Sequence, residues 1–216
     1  MRPLQVFFTI IVTLLFTSCF KEKENPPIKY YAIGVYYPNI MTIKTDFDTE
    51  LIVTNSTEIN IKNDDPVRVL AYFFVEEQVS DFTLKVNVTS IYDISVPLVV
   101  INENNLDSLE RKDAIRLNST WIAQDYLSLD FIFWAYEKPH NFFFSLNPED
   151  QIDDKIVLKF HHNANKDYGY KLEERETVVS LQIKEFQNPQ KDSVLIKFSY
   201  YNNITTLLED SIWYSY

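Results

Sequence analysis

Three histidines are the side chains best suited to acid–base or metal chemistry in this 216-residue sequence: His140, His161 and His162. A metal site would need one of them beside Asp167 or Asp125, because imidazole and carboxylate groups both bind zinc. Neighbouring residues on a strand point to opposite faces, so His161 and His162 cannot both serve one site. We therefore expect one of these two rings to be packed and the other solvated, with no metal and no cofactor.

Carboxylates could instead form the acid–base pair of a glycoside hydrolase, which needs two carboxyl groups roughly 5 to 9.5 Å apart. The chain has 31 acidic residues, so such pairs arise by chance and the hydrolase hypothesis is the weakest one. The three acids of residues 150–154 match no calcium-loop spacing and indicate a solvated turn. The acids considered are Asp125, Asp130, Glu149, Asp150, Asp153 and Asp154.

Nucleophilic and phosphate-binding motifs are missing from the sequence. No serine stands in the G-x-S-x-G context of a nucleophile elbow. The two glycines, Gly34 and Gly169, are too far apart for a glycine-rich phosphate loop. We therefore predict a protein that is not an enzyme and has no catalytic residue.

Aromatic rings are the remaining candidates for binding. The three tryptophans fall within predicted strands, where most aromatic side chains belong to the core. An exposed tryptophan beside Tyr30, Tyr31, Tyr36 or Tyr37 would make a stacking platform for a sugar or a peptide, and burial of all these rings would end the hypothesis. The binding candidates are Trp121, Trp134, Tyr36, Tyr37, His140 and His162.

The N-terminus has the three parts of a secretory signal. Arg2 supplies positive charge, residues 4–16 form an apolar run too short to span a bilayer, and small residues precede Cys19. Cys19 is the only cysteine, so no disulfide partner exists within the chain and lipidation accounts for its presence. We predict a lipoprotein signal peptide at residues 1–18 and a membrane anchor through the lipid on Cys19.

The residues after Cys19 indicate where in the cell envelope the protein is located. Residues 19–28 are polar and end in two prolines, which is typical of a tether between lipid and domain. Lys21 and Glu22 are similar to the export signal of surface lipoproteins in Bacteroidota. We expect attachment to the outer membrane, facing the cell surface, with the periplasm as the alternative.

Charge restricts the partners. The net charge is −11, and removal of the signal peptide with Arg2 makes it −12. Nucleic-acid binding draws much of its free energy from lysine and arginine at phosphates, so nucleic acid is not expected. A protein, a peptide or a glycan remains as the partner, and the sequence does not indicate an oligomeric state.

Short alternating runs separated by Asn, Asp and Pro predict an all-β protein. Residues 29–101 form the first predicted domain, and residues 102–115 are a linker that could hold one short helix and a glycosylated Ser108. Residues 116–216 form the second domain, where alternation with one apolar face predicts an antiparallel β-sandwich.

One pattern spans most of the second half. It runs from Trp121-Ile122 through Tyr126-Leu127-Ser128-Leu129 and the lone His140 to Leu158-Lys159-Phe160-His161-His162-Asn163-Ala164, and it ends with Asp167 and the strand Val178-Val179-Ser180-Leu181. This pattern resembles the NigD-like lipoproteins of Bacteroidota. The resemblance implies a small OB-like barrel followed by a β-sandwich, with no established activity. Here His161 stands where the family usually has arginine, and Ser128 where it has asparagine.

Three functions follow as expectations, in decreasing order. The first is a non-enzymatic envelope lipoprotein that acts as a binding or interaction module. The second is a bacteriocin immunity or accessory protein, since the founding member of the family is associated with a bacteriocin operon. The third is a glycan-active hydrolase.

Overall fold

The computed structural model describes residues 27–55, 61, 64–101, 112–151, 155–169 and 171–216. Within these ranges the chain forms thirteen β-strands and three single-turn 3-10 helices. The predicted all-β class is therefore confirmed. In the described ranges no helix is long and apolar enough to cross a membrane. The predictions for Cys19, the tether, Ser108 and the short linker helix fall on residues outside those ranges.

The first five strands close into a barrel. Its order is β1-β2-β3-β5-β4, with β4 returning to β1, and β3 runs parallel to β5. This is the strand arrangement of a five-stranded OB-type barrel, so the implied OB-like domain is confirmed. The strands are β1 (Lys29–Tyr37), β2 (Thr42–Thr45), β3 (Glu50–Val53), β4 (Val67–Ser80) and β5 (Thr83–Asp93).

Alternation along the strands builds the barrel interior. Val69, Ala71 and Phe73 of β4 point inward with Val86 and Val88 of β5, and all five are buried. The residues between them face outward, which is the period-2 geometry of a strand. The outward face of β4 therefore carries Arg68, Leu70 and Tyr72, and these residues help to form the site described below.

Gly34 allows β1 and β2 to approach closely where the barrel closes. A Cβ atom at this position would lie 2.2 Å from the carbonyl oxygen of Lys44, on the neighbouring strand. No side chain fits in that space without moving backbone. The glycine is therefore required by the close approach of the strands and not by its dihedral angles.

The remaining eight strands form two packed sheets. One sheet has the order β13-β12-β10-β9-β6 and the other β11-β8-β7. Inward residues of both sheets, such as Leu129, Phe131, Phe144 and Phe160, make one buried core. The strands are β6 (Val99–Ile101), β7 (Arg116–Ala123), β8 (Tyr126–Ala135), β9 (Asn141–Leu146), β10 (Lys155–Asn163), β11 (Glu173–Gln182), β12 (Ser193–Tyr201) and β13 (Leu207–Ser215).

The sandwich is mixed, whereas the sequence predicted an antiparallel one. β10 pairs in parallel with β12, and β6 pairs in parallel with β9. The first parallel pair follows from the path of the chain, because β11 lies in the other sheet between β10 and β12 and the chain must cross over. Strand β6 also corrects the expected domain boundary at residue 101, because it pairs within the sandwich and not within the barrel.

Candidate functional site

A cleft of about 1370 Å³ lies between the barrel and the sandwich. Both domains line it, so its shape depends on how they dock. The barrel wall comes from β1, β4 and β5, the turn before β3, and the core residues Leu51 and Phe73. The sandwich wall comes from β7, β8 and β11, with residues 140–142 at the start of β9. We call this feature the interdomain cleft.

The barrel wall is aromatic. Tyr31 pairs with Tyr72 across β1 and β4, with ring centroids 6.0 Å apart, and Tyr92 of β5 meets Tyr72 edge-on at 6.2 Å. Tyr31 is 70% exposed and Tyr92 is 57% exposed. Lys29 holds its ammonium group 5.1 Å from the centre of the Tyr72 ring. Phe47, which is 81% exposed, extends the aromatic surface.

The sandwich wall is acidic. Asp130 of β8 and Glu176 of β11 point outward into the cleft, and the amide of Asn118 donates to Asp130 at 3.4 Å and to Glu176 at 3.1 Å. Burial raises the pKa of the Asp130 carboxyl, and the neighbouring Glu176 carboxylate raises it further. Asp93 contributes a third carboxyl from the barrel, and among the described lining residues none is a lysine or arginine.

A buried polar network docks the two domains at the end of the cleft. Arg68 of the barrel forms a bidentate ion pair with Asp46, and both side chains are fully buried. The same guanidinium reaches the sandwich, donating to Ser180 at 3.1 Å and to Ser128 at 3.0 Å. Trp121 of the sandwich donates its indole N–H to Asp46 at 2.6 Å. Because a buried charge must be fully hydrogen-bonded, this network fixes one arrangement of the domains.

The hairpin turn between β7 and β8 adds a second docking contact. Gln124 and Asp125 both have positive φ, at 50° and 65°, as a tight two-residue turn requires. This turn presents the Gln124 side chain to the barrel, where it donates to the carbonyl oxygens of Lys44 at 2.7 Å and Thr45 at 2.8 Å.

His140 and His162 form a buried pair inside the sandwich. His140 Nδ1 lies 2.7 Å from His162 Nε2, and His140 Nε2 lies 3.2 Å from a carboxylate oxygen of Asp167. His162 Nδ1 lies 3.1 Å from the carbonyl oxygen of Ala114. Desolvation is the main reason that the pKa of His162 falls from 6.5 to about 4, and the nearby His140 lowers it further.

Asp167 joins this pair to the backbone, because its carboxylate contacts His140 and also accepts hydrogen bonds from the N–H groups just after the end of β8. Burial raises the pKa of the Asp167 carboxyl, but the backbone N–H groups of Tyr136 and Glu137 outweigh it and hold the pKa well below 3.8.

His161 lies on the opposite face of β10 from His162, as the sequence predicted. Its ring stacks on Phe143 at 4.6 Å, and its Nε2 lies 2.7 Å from the Ser145 hydroxyl. The expectation that one of the two rings is solvated is wrong, because His161 and His162 are 0% and 3% exposed. The outer face of β10 is covered at His161, which alternation along the strand cannot indicate.

Trp121 is the predicted aromatic candidate that reaches the interdomain cleft, and it lines the cleft together with Tyr30 and Tyr31. Tyr36 does not reach it, because alternation along β1 turns its ring into the barrel core. Tyr37 lies under the Lys44 ammonium group at 5.4 Å.

Trp134 and Trp213 lie elsewhere on the sandwich. Trp134 packs under the Arg116 guanidinium at 5.9 Å. Trp213, on strand β13, is 63% exposed. Since Tyr31 and Trp213 are exposed, the condition that would end the stacking hypothesis is not met.

The acids of the hydrolase hypothesis do not meet in one place. Asp125 accepts a hydrogen bond from the Tyr214 hydroxyl at 2.5 Å, and Glu149 and Asp150 lie exposed in a 3-10 turn. Asp153 and Asp154 fall outside the described residues. Across the described ranges, no group of three or more His, Cys, Asp or Glu side chains has the geometry of a metal site.

Sequence reasoning missed the Arg68 network. The available signal was an arginine inside the apolar run Val67–Ala71, since a charge in a buried strand must find a partner. The partner Asp46 lies in a turn and Ser180 lies 112 positions away, and nothing in the sequence connects the three residues.

Comparisons with known proteins identify relatives. A family model described as the NigD-like C-terminal beta sandwich domain matches residues 97–209, more than half of the chain. No curated protein sequence matches the chain significantly.

Three solved structures share the whole two-domain fold. A NigD-like immunity protein from Bacteroides caccae aligns with a TM-score of 0.66 and 17% identity, covering 88% of this chain and 98% of its own. A candidate toxin-related protein from Parabacteroides distasonis aligns with a TM-score of 0.66 and 21% identity, covering 87% of this chain and 94% of its own. A candidate lipoprotein from Bacteroides fragilis aligns with a TM-score of 0.61 and 14% identity, covering 88% of this chain and 98% of its own.

Proposed function

The chain belongs to the NigD-like family, and from this premise we propose that it is a non-enzymatic envelope lipoprotein that binds a ligand in its interdomain cleft. The observation that carries the proposal is the cleft itself. Exposed rings, which are costly to leave in water, face a polar wall across a space that two docked domains hold open.

The arrangement of polar side chains supports binding over catalysis. The described serine–histidine pair, Ser145 with His161, is enclosed, with 3% and 0% exposure, so a substrate cannot reach it. The His140–His162 pair is enclosed as well, and its hydrogen bonds go to Asp167 and to backbone. These groups stabilise the sandwich, whereas the cleft offers aromatic rings and carboxylates to solvent.

Trp121 provides a direct test, because it is the tryptophan in the cleft. A Trp134→Phe/Trp213→Phe variant keeps Trp121 as the sole reporter of fluorescence. We expect a saturable emission change with at least one probe from a panel of maltoheptaose, cellohexaose, chitohexaose and nonapeptides of different net charge. A Tyr31→Ala/Tyr92→Ala version should lose that response. If no probe changes Trp121 emission, the proposed function is wrong.

Attachment through lipid on Cys19 is part of the proposal, and the relative described as a candidate lipoprotein supports it. Metabolic labelling with a fatty acid should mark the wild-type chain and not Cys19→Ala. Digestion of intact cells by added protease would establish the expected outward display, and protection from the protease would place the domains in the periplasm.

Bacteriocin immunity is the second candidate function. It is favoured by one observation, the structural likeness to a relative described as an immunity protein. Deletion of the gene should then raise the sensitivity of the cell to a bacteriocin made by its own species. Unchanged sensitivity would refute this candidate without touching the binding proposal.

A further inference from the structure

The two walls of the interdomain cleft differ in charge and in chemistry. The barrel wall presents Tyr31, Tyr72 and Tyr92, and the sandwich wall presents Asp130 and Glu176. We propose that the occupant of the cleft is a cationic peptide segment, whose lysine or arginine side chains meet the carboxylates while its remaining atoms pack on the tyrosines. This inference rests on the proposed function and adds the class of ligand.

The carboxylates lack a cation within the described lining of the cleft. Asp130 and Glu176 share the amide of Asn118, and Asp93 stands on the barrel side. Arg116 lies on the same sheet but is engaged by Glu174 at 3.4 Å. His140 reaches the lining, but its ring is engaged by the Asp167 carboxylate at 3.2 Å. Burial is the main reason that the Asp130 pKa is raised, and repulsion by Glu176 adds to it. A ligand cation would offset that repulsion.

The barrel wall already holds one cation. Lys29 places its ammonium group 5.1 Å from the centre of the Tyr72 ring. Contacts of this type are worth about 0.5–1 kcal/mol at exposed sites. Tyr31 and Tyr92 flank Tyr72 and offer exposed rings to ligand side chains in the same way.

Size and charge distinguish a peptide from other ligands. At about 1370 Å³ the cleft is larger than the roughly 300–1,000 Å³ typical of small-molecule pockets. A net charge of −11 opposes nucleic acids and acidic glycans. A neutral glycan could stack on the tyrosines but would leave three carboxylates uncompensated, so the observations favour a chain that carries positive side chains.

Fluorescence anisotropy of labelled nonapeptides tests this inference. The probes alternate alanine with lysine, glutamine or glutamate, and maltoheptaose serves as a competitor. We expect the lysine peptide to bind at least tenfold more tightly than the glutamine peptide and the glutamate peptide not to bind. Because exposed charges are screened by salt, the affinity should fall when ionic strength rises from low to physiological values.

Conservative variants locate the binding site. Asp130→Asn/Glu176→Gln should weaken the lysine peptide about tenfold, whereas Glu209→Gln/Asp210→Asn, which removes two exposed acids of β13, should leave binding unchanged. Equal affinity for the lysine and glutamine peptides, or equal effects of the two double variants, would overturn the inference. If maltoheptaose binds and the lysine peptide does not, the cationic-peptide inference fails and the binding function stands. If neither maltoheptaose nor the lysine peptide binds and Trp121 emission does not change with any probe, both the cationic-peptide inference and the binding function are wrong.

Discussion

At the scale of single residues, the His140–His162 pair links protonation to stability. Burial lowers the pKa of His162 from 6.5 to about 4, so the folded protein keeps this ring neutral where the unfolded chain would protonate it. The unfolded state therefore binds more protons between pH 6.5 and pH 4. The stabilisation is complete above pH 6.5 and is lost as the pH falls towards 4.

The resulting prediction concerns acid unfolding. His162 should contribute about 3 kcal/mol to the change in unfolding free energy between pH 7 and pH 4, from a shift of about 2.5 pKa units. His162→Gln should be less stable at pH 7 and lose less stability on acidification. Urea unfolding of both proteins at pH 7, 5 and 4 measures this difference. Parallel losses in the two proteins would contradict it.

Arg68 and Asp46 give a second residue-scale prediction. Arg68→Met should cost about 3–5 kcal/mol, because it leaves the Asp46 carboxylate buried without a counter-charge. Adding Asp46→Asn should recover part of this loss, because the unpaired charge disappears while Trp121 keeps an acceptor. Urea unfolding of the two single variants and the double variant measures the coupling, and additive effects would argue against it.

Prediction from sequence at this scale succeeded where geometry is local. The opposite orientations of His161 and His162 follow from the strand alone. The burial of both rings does not, because burial depends on what covers each face of the sheet. Tyr36 was a binding candidate because it is aromatic, but its position on β1 turns the ring into the barrel core. Its burial could not be predicted, since it depends on how the strands close into a barrel.

At the scale of elements, the closure of the barrel depends on Gly34. Gly34→Ala should be strongly destabilising, by roughly 2 kcal/mol or more, because its methyl group would meet the Lys44 backbone. Gly169→Ala is the comparison variant, because there the methyl group would meet side-chain atoms of Tyr136 and not backbone, so we expect a smaller loss. Thermal unfolding of both variants tests the difference, and equal losses would show that the barrel adapts.

The alternating pattern of the sequence predicts β-strands, but it does not predict which sheet each strand joins. Alternation places β8, β10 and β12 correctly, because each buries every second side chain. Nothing in residues 97–101 indicates that β6 pairs with β9, since that pairing joins segments more than forty positions apart. The parallel pairs are likewise a property of the chain path and not of any one strand.

At the scale of the whole molecule, the buried network should make the two domains unfold together. Ser128→Leu/Ser180→Leu removes two acceptors of Arg68 and inserts bulk between the domains. We expect wild type to show one transition on heating, and the variant to show two, detected by calorimetry. A single transition in the variant would mean that other contacts couple the domains.

The two-domain architecture was predictable through the NigD-like resemblance, because the matched pattern covers the second half and implies the first. The cleft was not predictable. Its walls come from strands whose outer faces meet only when the domains dock, and the docking residue Arg68 contacts side chains 60 and 112 positions away.

Arg68 and Ser180 are far apart along the chain, so the ribosome makes the barrel well before it makes the sandwich strand that docks on it. At roughly 5–20 residues per second during synthesis, Ser180 is made about 6–22 s after Arg68. During that interval the barrel can close around its own core and pair Arg68 with Asp46, but the face that will meet the sandwich has no cover. Until β11 is available, the Arg68–Asp46 pair of such a barrel stays in contact with water, and its burial has to wait for the sandwich to dock.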